Sequence, residues 1–311
     1  MDDRLLSIAE NANTHQPLAE GHERIENDRF VLWMGIRSEP AWNVAQRLRL
    51  ADEMIDAAIE EVHGLLRARG RTECSWEVGS SATPADLVEQ LRRRGMEDDD
   101  DPDVIGMVLG HEPPPVAGIE GRPVRDFAEF QEANAVAFAA FGSVPPSDEA
   151  RERARYEEEV AAGIQRTFVA VLDGRIVGAG SSTYLDGAVT LYGGSVLPEA
   201  RGRGAYRALV RARWEDAIAR GTPALVTQAG RMSAPILLRL GFEEVTRIHI
   251  LIGSMPGNFC ARHRGTDADQ GLVGRDDAGE SGHDGQNGGP GNLKLPLLFF
   301  SHVGAGGVAR F

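Results

Sequence analysis

Apolar residues recur at helical spacing at Leu50, Met54, Ile55, Ala58, Ile59, Val62, Leu65 and Leu66. This pattern predicts a helix over 49–70 that closes on Gly70. A short β-type run follows at 72–78, "TECSWEV", and then "TPADLVEQLRRRG" at 83–95. The latter reads as a helix with Thr83 as N-cap, Pro84 in its first turn and a stop at Gly95. The run "VIGMVL" at 104–109 reads as a buried strand, and the acids between Glu97 and Asp103 as a solvated connection before it. Pro and Gly then crowd positions 110–123, as expected of a linker. Beyond it come two helical patterns, 124–142 and 147–164, and three β-branched runs punctuated by Asp173-Gly174 and Asp186-Gly187. Asp-Gly pairs between alternating runs predict hairpins, hence three antiparallel strands. A helix from about Ala205, with Tyr206, Leu209, Val210, Trp214, Ala217 and Ile218 on one face, leads to a strand at 223–229, a helix at 233–242 and a last strand at 243–252.

The two parts share an order. A helix ending at Gly70 leads to a strand and a helix closing on Gly95-Met96-Glu97; a helix ending at Gly221 leads to a strand and a helix closing on Gly241-Phe242-Glu243. That weak repeat suggests duplication of one α/β unit. The expected division is a first domain over 1–112, a second over 113–256, and a tail over 257–311. The tail is dense in Gly and Asp, lacks a period, and is expected to be disordered to about Asn292, ahead of the apolar "LKLPLLFF".

Composition narrows the function. A chain of 311 residues, 42% apolar and 26% charged, has the make-up of a soluble globular protein. The acidic start "MDDRLLSIAE" and the lack of any run of about 20 apolar residues point to a cytoplasmic protein with no membrane partner. A net charge of −14 argues against nucleic acid and mildly favours amine substrates. Cys74 and Cys260 are too few for a disulfide framework or a zinc site, so no metal is expected. Lys294 is the only lysine among 33 basic residues, so single arginines carry little information unless their position is special.

One position is special. In "GGSVLPEARGRGAYRALVRARWEDA", 193–217, a strand runs into a Gly- and Arg-rich turn from which a helix starts at once. The first amides of such a helix have no carbonyl partners, and the helix dipole adds partial positive charge, which makes the turn a cradle for phosphate. Gly202 and Gly204 permit a close approach, and Arg201 and Arg203 add charge. No Gly-Lys-Ser/Thr follows, which excludes the Walker loop, and the dinucleotide fingerprint lacks its third glycine.

The stretch "VLPEARGRGAY" resembles the acetyl-CoA signature of the GNAT N-acetyltransferase superfamily, Val-x-Pro followed by Arg/Gln-x-x-Gly-x-Gly/Ala. Val196, Pro198, Arg201 and Gly204 match, while Tyr206 stands where Gly or Ala is usual. The order of elements over 116–252 also resembles the family, and the first domain resembles a degenerate half of the same fold, without the signature loop ahead of its long helix. The resemblance implies a mixed, mostly antiparallel α/β sheet flanked by helices in two tandem units. It implies acetyl-CoA held by Val196, Leu197, Arg201, Gly202, Arg203, Gly204, Ala205 and Tyr206, a bulge at Gly193-Gly194 that opens a pantetheine slot, and direct acyl transfer to a small-molecule or peptide amine by a monomer or homodimer. The positions where the family often carries a base and a thiolate-protonating tyrosine fall on Thr190 and Leu237. Tyr192, on the same strand face as Thr190, and Ser233, at the start of the later helix, are the replacements with a proton to offer. The alternatives are a non-catalytic acyl-CoA sensor and a Rossmann-like nucleotide binder, the latter separable by sheet topology.

Overall fold

The computed structural model describes residues 2–140, 142 and 148–255. In chain order the elements are α1 Asp3–Glu10, α2 Ala12–His15, β1 Glu23–Glu26, β2 Val31–Met34, β3 Asn43–Gln46, α3 Ile55–Arg67, β4 Glu73–Gly79, α4 Leu87–Arg93 and β5 Glu97–Leu109. There follow β6 Glu120–Pro123, α5 Phe127–Ala139, α6 Glu149–Ala162, β7 Gln165–Leu172, β8 Arg175–Leu185, β9 Ala188–Val196, α7 Ala205–Ala219, β10 Leu225–Ala229, α8 Ala234–Arg239 and β11 Glu243–Ser254.

All eleven strands join one sheet in the order β1-β2-β3-β4-β11-β5-β10-β9-β8-β7-β6. Only β3/β4 and β9/β10 pair in parallel, and each parallel pair is joined through a helix, α3 in the first half and α7 in the second. The mixed, mostly antiparallel sheet with flanking helices is the expected one, and it excludes the parallel, doubly wound sheet of a Rossmann-like nucleotide binder. The repeat is also visible, with one exchange. The last strand of each half lies in the other's territory: β11 pairs with β4 and β5, and β5 pairs with β11 and β10.

The Asp-Gly pairs form the hairpins β7–β8 and β8–β9, with Asp173 and Gly174 both at positive φ, 52° and 77°, as a tight two-residue turn requires. Several local expectations need correction. The acids at 97–103 begin β5 rather than a loop; Asp98 and Asp103 bond His249, Asp98 also pairs with Arg92, and Asp101 with Arg231, so arginines at the sheet end offset part of the charge. Thr83 does not cap a helix. Its carbonyl and amide pair with the backbone of Leu50 and Leu48, and α4 starts later, at Leu87. The same pairing keeps Arg49 and Leu50 extended, so α3 begins at Ile55. Positions 120–123, expected in the linker, form β6 against β7, and Ile218 on α7 is exposed. Cys74 is buried in β4, where burial pushes its thiol pKa up. Cys260 and the tail from 257 onward lie outside the described residues.

The first half has its own core, in which Trp76, Leu32, Phe30 and Leu251 meet Ile55, Val62 and Leu66 of α3. In the second half Val189, Leu191 and Leu225 pack on Val210, Trp214 and Ala217 of α7. The N-terminal helix α1 crosses to the second half, burying Ile8 and Ala9 against Val108, Ala188 and Val226. Among the described residues no helix is long and apolar enough to cross a membrane.

Candidate functional site: a splayed strand pair and its turn

Strand β9 alternates as a strand must. Val189 and Leu191 face α7, which leaves Thr190 and Tyr192 on the opposite face, beneath the N-terminal helices. There the Gln16 amide donates to Thr190 Oγ1 at 3.0 Å and to the Tyr192 hydroxyl. The pairing of β9 with β10 covers only Val189/Leu225 and Thr190/Val226, and past these residues the two strands part. On its other edge β9 carries a bulge. Ala179 faces Ser195 and Ser181 faces Tyr192, so Gly180 stands opposite both Gly193 and Gly194. Gly193 adopts φ 61°, and a methyl on Gly194 would come within 2.7 Å of Tyr206 Cε2, so the bulge needs both glycines.

A cavity of about 70 Å³ occupies the split, with Thr190, Tyr192, Tyr206, Arg213, Thr227 and Ser233 among its walls. Tyr192 and Ser233 therefore share one cavity. The Ser233 hydroxyl donates to Gly230 O at 3.3 Å and makes no capping bond to α8, contrary to an N-cap role. Burial raises the pKa of the Tyr192 phenol, and the charge of Glu77 raises it further, so the hydroxyl stays protonated at neutral pH. Glu77 itself is buried on β4, and burial pushes its carboxyl up to about 7.

The turn lies where the strand ends. Pro198–Ala200 form one turn of 3-10 helix, Gly202 and Gly204 take φ 76° and 100°, and α7 starts at Ala205 with no side chain capping its first amides. These conformations leave the amides to an outside acceptor. A Cβ on Gly202 would meet nothing within 4 Å, so the approach to the turn is open. The arginines are more committed than expected. Arg201 donates to Val196 O at 3.3 Å and to Ala140 O at 2.9 Å, tying the strand end to the C-terminus of α5, and Arg203 pairs with Asp173 at 3.5 Å. Leu197 packs into the core beside Ala133 and Val136, and the Ala205 side chain is buried, which leaves only backbone at these two for a ligand. Tyr206 turns its ring away from the turn and into the split, against Gly194.

Three residues of this site were not anticipated. Gln16 and Glu77 come from the first half, far away in sequence, and Arg213 lies two turns along α7 from Tyr206 on the same face. A spacing of seven from a residue at the signature was the one available signal for Arg213.

A glycine-rich turn with an uncapped helix N-terminus offers free amides to an anion, and here it stands beside a parted parallel pair. Residues 127–242 match the model of the acetyltransferase (GNAT) family. Among solved structures, a GCN5-related N-acetyltransferase from Kribbella flavida is similar at TM-score 0.61 and 19% identity, covering 82% of this chain and 97% of its own. A GCN5-related N-acetyltransferase from Sphaerobacter thermophilus gives 0.53 at 16%, covering 81% and 90%. A tandem GNAT protein from the clavulanic acid biosynthesis pathway gives 0.52 at 18%, covering 81% and 95%. Each of the three spans both halves of this chain, and at these identities they speak for the fold. No curated protein matches the chain.

Proposed function

We propose that the protein is an acyltransferase that moves an acyl group from a coenzyme A thioester, acetyl-CoA in the simplest case, to an amine of a small molecule or peptide. The observation that carries this reading is the continuity of the Gly202–Gly204 turn with the β9/β10 split at the Gly193-Gly194 bulge. The residues fit such a ligand. Uncapped amides of α7 meet the pyrophosphate, the split takes the pantetheine arm, and the cavity beside Tyr192 takes the acyl end. The thioester supplies an activated carbonyl carbon: its C–S bond breaks, a C–N bond forms, the amine gives up one proton and the thiolate gains one.

The protein's contribution is first positional, since holding both reactants in one cleft removes much of the entropic barrier. Tyr192, kept protonated by burial and fixed by Gln16, is placed to give a proton to the thiolate; Ser233, on the α8 side, is the second candidate. A thiol with a pKa of about 8.5 leaves readily, so this help is modest. Among the described residues only the second half has the turn, so one coenzyme A binds per chain.

One observation favours a second reading, a binding protein that senses acyl-CoA without transfer. Gln16 covers the face of Thr190 and Tyr192 from which an amine would arrive. Calorimetry with free CoA tests the site, and CoA thiol release over a panel of amines separates the two readings. Gly204→Glu places a carboxylate at the turn and is expected to abolish CoA binding in a protein that still melts cooperatively. Unchanged affinity in that variant, or two CoA sites per chain, would refute the proposal.

A further inference from the structure

The wall of the split on the α7 side contains a charge that the protein leaves unanswered. Arg213 is 1% exposed. Its Nε donates to Leu209 O at 3.1 Å and its Nη1 to Ser181 O at 3.4 Å, while Nη2 has no partner and the residue lines the cavity. Among the described residues no carboxylate is paired with it. The two acids that follow it on the helix are engaged elsewhere, Glu215 with Arg211 and Asp216 with Arg166, Arg220 and the Tyr184 hydroxyl. Burial lowers the guanidinium pKa, yet an arginine stays charged in a protein. A buried cation with one unpartnered N–H edge and no counter-charge is costly unless something else meets it.

What meets it is constrained by place, size and chemistry. Arg213 projects from α7, so it lies on the face of β9 opposite to Gln16, Thr190 and Tyr192. Tyr192, Ser233 and Arg213 line one cavity, so on the coenzyme A reading the part of the ligand nearest Arg213 is its acyl end. The cavity of about 70 Å³ has room for a small polar group. A neutral carbonyl would satisfy the unpartnered N–H but not the charge. A carboxylate satisfies both, in the fork geometry that arginine favours.

Resting on the coenzyme A reading above, we propose that Arg213 selects acyl donors that end in a carboxylate, so that the group transferred is a short dicarboxylic acyl chain of malonyl or succinyl type. The carboxylate is unchanged in the reaction. Only the thioester C–S bond breaks and the C–N bond forms, and Arg213 holds the remote end without touching the reacting atoms, which makes it a specificity residue.

The test is calorimetry on the full chain with free CoA, acetyl-CoA, propionyl-CoA, malonyl-CoA and succinyl-CoA. At least one dicarboxylic thioester is expected to bind tenfold or more tightly than acetyl- and propionyl-CoA. Arg213→Met should bring that preference within twofold, with free CoA affinity unchanged and the ligand-free melting temperature no lower than that of the parent. A purely structural arginine would instead lower the melting temperature and leave donor preference alone. Arg213→Lys, which keeps the charge, should retain part of the preference and serves where the methionine variant fails to fold. Equal affinity for acetyl and dicarboxylic donors in a protein that binds free CoA overturns the inference and leaves the coenzyme A reading standing; failure of every CoA species to bind overturns both. A preference that survives Arg213→Met, or an effect of that variant confined to acceptors bearing a carboxylate, also overturns it.

Discussion

Replacing Glu77 with glutamine should make the protein more stable at neutral pH than at acid pH, relative to its parent. Glu77 stands on β4 and is 7% exposed, with no hydrogen-bond partner at Oε2. Burial pushes its carboxyl from the ordinary 4.5 up to about 7. The folded protein therefore keeps this proton in a range where the unfolded chain has lost it. Below pH 4.5 the carboxyl is protonated in both states and adds no pH-dependent cost. As the pH rises from 4.5 to about 7 the folded state binds more protons than the unfolded one, and stability falls by up to 1.36 kcal/mol per pH unit. The loss levels off above about 7 at about 3 kcal/mol. Glutamine has nearly the same shape and does not titrate, so the stability difference between Glu77→Gln and parent should grow by about 3 kcal/mol between pH 4.5 and pH 8. Urea denaturation of both proteins at half-unit steps measures it, since other titrating groups cancel in the difference. A difference constant across that range would mean that the Glu77 carboxyl ionises normally and is not held in a dry place.

A methyl at Gly121 would run into the Ala208 carbonyl where β6 meets α7, so Gly121→Ala should cost about 1–3 kcal/mol by denaturant titration, with α7 displaced. An unchanged midpoint would show that β6 does not press on the helix. On an identified acceptor, Tyr192→Phe should lower kcat by about ten- to a hundredfold with donor affinity preserved. Full kcat there removes Tyr192 from proton transfer, and the same outcome for Ser233→Ala leaves positioning and solvent to do the work.

Features that depend on neighbours in sequence were legible. The Asp-Gly turns, the signature turn at Arg201–Gly204, the bulge at Gly193-Gly194 and the face of α7 all follow from backbone preference or period within a dozen residues. Those that depend on remote neighbours were not. A run of acids from Glu97 reads as solvated loop until Arg92, Arg231 and His249 stand beside it, and only the sheet brings them there. Thr83 has the chemistry of a cap, but the backbone of Leu48 and Leu50 competes for it and wins. Arg213 is one arginine among many, and its spacing of seven from Tyr206 puts it on that residue's helix face without saying that the face meets a cavity. Gln16 and Glu77 are separated from Tyr192 by more than a hundred residues, and no local pattern connects them.

The connection is made by the exchanged strands. If β5 lay beside β4 and β11 beside β10, each half would close on itself and α1 would have no reason to cross. With β11 between β4 and β5, and β5 against β10, the backbone pairing of each half is completed by the other. A second half alone would leave β11 without either of its neighbours and β10 with an open edge, an arrangement that invites aggregation. The same exchange carries α1 onto β10, where Gln228 donates to the carbonyls of Ala9 and Glu10 at 3.2 and 3.1 Å, and it sets Glu10 against Thr246 and Ser81. From there the chain continues through α2 to Gln16, which ends on Tyr192. The first half lacks a counterpart of the glycine-rich turn, yet through Gln16 it covers the face of β9 that carries Thr190 and Tyr192, so the acyltransferase reading makes the cleft a joint product of both halves.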